Sequence, residues 1–254
     1  MVLRPLLTPA PRDGVIPAWD AVEPVQKHPY SECWLIAQPD HAALAGDIAA
    51  HLAPRVFPGL DSDVLKGITL HDEGWGPFDT RAAEGRQPPR SFIDEAPGTF
   101  VEAWTASVDR CQEVAPIAAV IVSKHFCRLA QFRTGENKDT AENMRLLRGF
   151  LIAEDRRQRE LLPGCRSYDP ECLTDVLQFC DLLSLYLCCG AQENVTFPQS
   201  FAGSKVRLER VRTQDSAAIC RFSPSILDGI NELAVSARGW PDARNSRQVL
   251  FVLE

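Results

Sequence analysis

The residues in this sequence with the most chemical capacity are His41, the adjacent pair His71-Asp72, His125 and Asp181. Each falls within or at the end of a stretch that is otherwise strongly apolar and helical in pattern. Asp181 is the sharpest case, enclosed by Phe179-Cys180 on one side and Leu182-Leu183 on the other. A carboxylate buried without a partner is unfavourable, so this one demands a countercharge. A metal ion would supply it, and so would an arginine. The sequence holds no phosphate loop, dinucleotide-binding glycine pattern, serine nucleophile elbow or His-Glu-x-x-His motif to offer a rival chemistry.

The elements that must position these residues read as helices. Asp40 stands where an N-cap would open a helix from His41 to Leu52. Asp61-Ser62-Asp63 caps a second helix through Val64, Leu65, Ile68 and Leu70 into His71-Asp72. The stretch from Gly76 to Pro97, with Pro77, Pro88, Pro89, Pro97 and Gly85, reads as a long loop of the kind that serves as a lid. Further helices are expected over roughly Thr99 to Val114, Pro116 to Phe132, Asp139 to Leu162 and Asp169 to Cys189. After Gly190 the runs Val206 to Val211, Ala217 to Phe222, Glu232 to Ala237 and Gln248 to Leu253 read as strands, separated by turn residues such as Pro224, Gly239 and Asn245. The expected organisation is an extended N-terminal segment over residues 1–35, with a short strand at Cys33 to Ile36. A helical domain over 36–190 follows, and then a β-rich region over 191–254 packed on it. The fold class is mainly α, a helical bundle with a small C-terminal antiparallel β-sheet as an α+β appendage.

The order of the polar residues carries a resemblance. A His on one helix, a His-Asp ending the next and a distant Asp resemble the HD-domain metal-dependent phosphohydrolases. The flanks are similar too: His41-Ala-Ala-Leu-Ala-Gly-Asp-Ile-Ala, then Leu65-Lys-Gly-Ile-Thr-Leu-His71-Asp72-Glu-Gly74, then Cys180-Asp181-Leu-Leu-Ser184. More narrowly, Gln38-Pro-Asp-His41, His71-Asp-Glu-Gly-Trp75 and Val122-Ser-Lys-His125 resemble a bacterial HD-related family of uncharacterised proteins. That narrower likeness spans most of the chain. It implies an HD-domain-like bundle and no established activity.

The resemblance implies that His41, His71, Asp72 and Asp181 hold a divalent metal. Imidazoles with carboxylates suit Mn, Fe, Zn or Mg. His125 stands where several HD proteins have a further His that serves a second metal or the substrate. Asp72 would then be a bridging ligand and proton acceptor, with a metal-activated water as nucleophile on a small phosphorylated, nucleotide-like substrate. Two departures leave alternatives open. Trp75 follows His-Asp-x-Gly where many hydrolases carry Lys or His, and only His125 stands in for the usual two further histidines. A catalytically reduced metal- or ligand-binding module is one alternative, and a di-iron oxygenase is a less favoured one. Glu73, adjacent to the pair, is a further candidate ligand or general acid. Lys124 and Arg128, four apart beside His125, are the candidate phosphate-binding cations, with Lys66 and Arg133 behind them. Trp75, Phe92 and the proline-rich stretch are candidates to wall the pocket.

Bulk properties narrow the setting. A chain of 254 residues that is 45% apolar can bury a full core without disulfides or a structural metal, so a bound metal is expected to do chemistry. A net charge of −7 without a long basic run argues against nucleic acid as partner. Nine cysteines, odd in number, form no Cys-x-x-Cys pair, and no secretory signal opens the chain. Reduced thiols and a cytoplasmic location are the expectation. The apolar stretch Leu173 to Cys189 contains Asp175, Gln178, Asp181 and Ser184, too polar and too short to span a membrane. No membrane partner is expected, and a homo-oligomer is compatible with the composition.

Overall fold

A computed structural model describes the whole chain except residues 8–9, 58–59, 86–87, 137–138 and 212–218 and the side chain of residue 136. In chain order the elements are β1 (Val2–Pro5), β2 (Val15–Pro17), α1 (Ala18–Lys27), β3 (Cys33–Ile36), α2 (Gln38–Ala50) and α3 (Ser62–Leu70). A short 3-10 turn (Glu73–Trp75) leads into α4 (Gly76–Glu84), α5 (Pro97–Gln112), α6 (Pro116–Glu136), α7 (Ala141–Leu161) and α8 (Pro170–Cys189). The chain ends in β4 (Asn194–Phe201), β5 (Ser204–Val211), β6 (Ile219–Ser223), β7 (Asn231–Trp240) and β8 (Ser246–Leu253). The fold is α+β, mainly helical, with the strands gathered from both ends of the chain.

Helix α8 is the axis of the helical layer. The Asp169 carboxylate accepts from Glu171 N and Cys172 N, Pro170 opens the first turn, and Gly190 at φ +75° closes the helix. At 20 residues it is long and apolar enough to cross a membrane, but most of it is buried inside the protein. Burial on nearly every face explains the continuous apolar sequence, because this is a core helix surrounded by others.

Two glycines set how closely the surrounding helices approach. A Cβ on Gly46 of α2 would lie 2.0 Å from Thr69 Oγ1 of α3, and one on Gly67 of α3 would lie 2.9 Å from Ala118 Cα of α6. Only hydrogen fits at these crossings. They draw α2 against α3 and α3 against α6, the helices that carry His41, lead into His71 and carry His125.

The sheet order is β1-β3-β7-β8-β6-β5-β4-β2. Most pairings are antiparallel, as the C-terminal runs suggest, but β2 pairs parallel to β4 and β6 parallel to β8. The sheet is also larger than those runs imply, since β1, β2 and β3 join it from the N-terminal side. Alternation places Leu233, Val235 and Ala237 inward, and these merge with the helical layer in one hydrophobic core. The edge strand β1 is closed by a side chain. Gln26 Oε1 accepts from Leu3 N at 3.0 Å, and its Nε2 donates to Leu3 O at 2.7 Å. A glutamine amide thus satisfies a buried strand edge that would otherwise seek another strand.

Three local expectations are corrected. Residues 1–35 are not extended throughout, because α1 forms where Ala18, Ala21, Val22 and Gln26 make one buried stripe. Pro24 inside that helix cannot donate to Asp20 O, and Arg12 Nη2 takes its place at 2.6 Å. Asp40 is not a cap, since α2 already starts at Gln38 behind Ala37, with Pro39 in its first turn. The stretch after Gly76 is helical to Glu84, because Pro77 sits in a first turn, where its missing N–H is no loss.

Candidate metal centre

Four elements converge on one point. His41 lies in the first turns of α2, and His71 and Asp72 follow the end of α3. His125 comes from α6 and Asp181 from the middle of α8. The three histidines and Asp72 are buried, and the Asp181 side chain retains 15% exposure, the most of the five. His41, His71 and Asp181 each offer a ligand atom, all within 4.8 Å of one another. Asp72 Oδ2 lies 2.8 Å from His41 Nε2 and 3.8 Å from His71 Nε2. His125 Nε2 is 3.7 Å from Asp181 Oδ2. The rings of His41 and His71 and of His71 and His125 meet edge to face.

Hydrogen bonding sets which nitrogens face the centre. His71 Nδ1 is 2.7 Å from the Ile68 carbonyl, which can only accept, so Nδ1 carries a hydrogen. His71 Nε2 is buried with no hydrogen-bond partner and stands 3.4 Å from Asp181 Oδ1. A buried nitrogen that faces two carboxylates with no hydrogen bond of its own suits a ligand, and a metal-binding His characteristically donates its other N–H to a carbonyl. His41 Nδ1 is 2.8 Å from Ser184 Oγ, whose own hydroxyl donates to Asp181 O at 2.8 Å.

The electrostatics follow from the crowding. Burial alone would lower the His71 pKa, but Asp72 and then Asp181 overcome it and raise it to about 9. Burial would raise Asp181, yet His71 above all, with His125 and His41, holds it at about 2. His125 is pushed down to about 4, because burial and the neighbouring His71 outweigh Asp181. In the absence of a metal, the proton on His71 fills the place of a cation. The donor set of imidazoles and carboxylates, with His71 Nε2 making no hydrogen bond, fits a divalent ion.

The other expected site residues lie around this point in different states. Glu73 is exposed at the start of the 3-10 turn. Trp75 is 2% exposed and packs edge to face with Phe78 and Phe100, so it is part of the core. Phe92 is half-buried against the same core. Lys124 bonds Glu171, and Arg128 bonds Asp175, Gln178 and Glu171, so the polar face of α8 neutralises both cations. Arg133 pairs with Asp139 and stacks over Phe100. The hydroxyl of Ser184 is the contribution that sequence reasoning missed as a functional group. Its only signal is a buried polar residue three places after Asp181 in an apolar helix.

Residues 25–228 match a family described as "Protein of unknown function (DUF3891)". The chain belongs to this family. No curated protein and no solved structure matches it. All five converging residues fall within the DUF3891 range, as do α2 to α8, whereas β1, β2, β7 and β8 lie outside it.

Proposed function

We propose that this DUF3891 chain is a metal-dependent phosphohydrolase of the HD type, acting on a small phosphorylated, nucleotide-like substrate. The observation that carries the reading is the buried His71 Nε2, which makes no hydrogen bond and stands within ion-pair distance of Asp181 and Asp72. The His, His-Asp, Asp order supports it by resemblance. His41, His71, Asp72 and Asp181 would hold a divalent ion of the Mn, Fe, Zn or Mg kind. Such an ion would polarise a phosphoryl oxygen and acidify a water.

The chain's own groups would do the rest. Asp72, which faces both His41 and His71, would take a proton from the attacking water. His125 stays neutral near pH 7, and its Nε2, 3.7 Å from Asp181 Oδ2, would offer the substrate one hydrogen bond. Arg128 and Lys124 would have to exchange α8 carboxylates for a phosphate.

That last requirement favours a second reading, a catalytically reduced metal-binding module, because the two cations are already neutralised. One experiment separates the two. Native protein and a His71→Ala, Asp72→Ala double mutant are assayed for bound metal and against a panel of phosphomonoesters and nucleotides. Metal and turnover that are both lost in the mutant support the hydrolase. Metal without turnover supports the binding module, and no metal after soaking with Mn, Fe or Zn overturns both.

A further inference from the structure

We infer that Ser184 is a positioning residue of the metal centre: its hydroxyl fixes the proton of His41 on Nδ1 and thereby presents Nε2 to the cation. The inference rests on the metal-binding reading above and concerns a residue to which that reading gives no role.

The argument starts from one hydroxyl with two neighbours. Ser184 is fully buried on α8, and its Oγ–H donates to the Asp181 carbonyl at 2.8 Å. A serine that bonds the carbonyl of the preceding turn is common in helices and by itself says nothing of function. Its lone pair, however, faces His41 Nδ1 at 2.8 Å. With the hydroxyl hydrogen already committed, that contact forms only if Nδ1 is the N–H. Nε2 is then left facing Asp72 Oδ2 at 2.8 Å.

At that distance Nε2 and the carboxylate need a proton or a metal cation between them. Adjacent ligands about 2.1 Å from an octahedral ion are themselves about 3 Å apart, so the pair is spaced as two ligands of one cation. Removing the hydroxyl removes the constraint. The ring is then free to leave Nδ1 bare and donate Nε2–H to Asp72, which satisfies that pair with no metal present. Ser184 therefore holds the pair in its cation-demanding state. The Ile68 carbonyl does the same for His71 from the backbone. Helix α8 thus supplies both a ligand, Asp181, and the group that orients a second ligand on α2.

The test uses the full chain stripped of metal, as wild type, Ser184→Ala and Ser184→Thr, titrated with Zn(II) against a chelator. The melting midpoint of each metal-free form is measured alongside. Ser184→Ala is expected to weaken Zn(II) binding by about 10- to 100-fold. Its metal-free melting midpoint stays close to wild type, and Ser184→Thr, which keeps the hydroxyl, restores affinity. A 15N spectrum of the histidine rings gives a readout independent of packing, with His41 carrying its proton on Nε2 in metal-free Ser184→Ala. Wild-type affinity in Ser184→Ala, a loss that merely follows a lowered melting midpoint, or a His41 ring still protonated on Nδ1 would each overturn the inference. Wild-type protein that binds no Zn(II), Mn(II) or Fe(II) overturns the metal reading itself, and this inference with it.

Discussion

Metal affinity at this centre should rise steeply with pH, and the slope follows from His71. Its pKa of about 9, set against burial by Asp72 and Asp181, leaves the ring protonated at neutral pH. A cation that takes His71 Nε2 must displace that proton. Below about pH 9 each unit of pH therefore strengthens apparent binding about tenfold, or about 100-fold between pH 6.5 and 8.5. Asp181 and His125 do not add to this slope. Asp181, at about 2, is ionised throughout the range, and His125, at about 4, is neutral throughout. The sign for stability is opposite to that for binding. A raised folded-state pKa contributes stability that is complete below about 6.5 and is lost as pH climbs through about 9, so the metal-free melting midpoint should fall across that window. Competition titrations with a chromophoric chelator, corrected for its own protonation, give the slope. Calorimetry in buffers of differing ionisation enthalpy counts the proton released, and about one is expected. Affinity independent of pH between 6.5 and 8.5, with no proton released, would show that His71 is either unprotonated in the free protein or not a ligand.

Gln26→Ala strands the Leu3 N–H and carbonyl and frees the sheet edge, so chemical denaturation should show a loss of about 2–4 kcal/mol without a change in metal affinity. Trp75→Ala should destabilise by about 3–5 kcal/mol, since the ring is fully packed against Phe78 and Phe100. A mild effect would mean that Trp75 lines an open pocket. Arg128→Ala removes a partly exposed ion-pair cluster and should change stability by less than about 1 kcal/mol. If Arg128 binds substrate phosphate, KM for a phosphomonoester rises in this variant, and an unchanged KM would remove it from the site.

Helices α2, α3 and α5 to α8 are legible in the sequence because their signals are local. Asp61 before Val64 and Asp169 before Pro170 are caps that act within one turn, and the apolar run of α8 is a property of adjacent residues. The metal-centre residues stood out for the same reason, as polar side chains in stretches that burial would otherwise exclude. Where a local signal was misread, position inside the turn was the missing quantity, as at Pro77, which opens α4. Everything that depends on partners distant in sequence needed the tertiary structure. The parallel pairings of β2 with β4 and β6 with β8, and the Gln26 cover on β1, join segments with no mutual sequence signature. The same holds at the centre. Residue types named the possible ligands, but proton positions depend on the Ile68 carbonyl and the Ser184 hydroxyl, and the charge on Arg128 is met by carboxylates of α8. A sequence determines which groups can ionise or ligate. Only packing decides which neighbours, at which distances, set the state in which each of them stands.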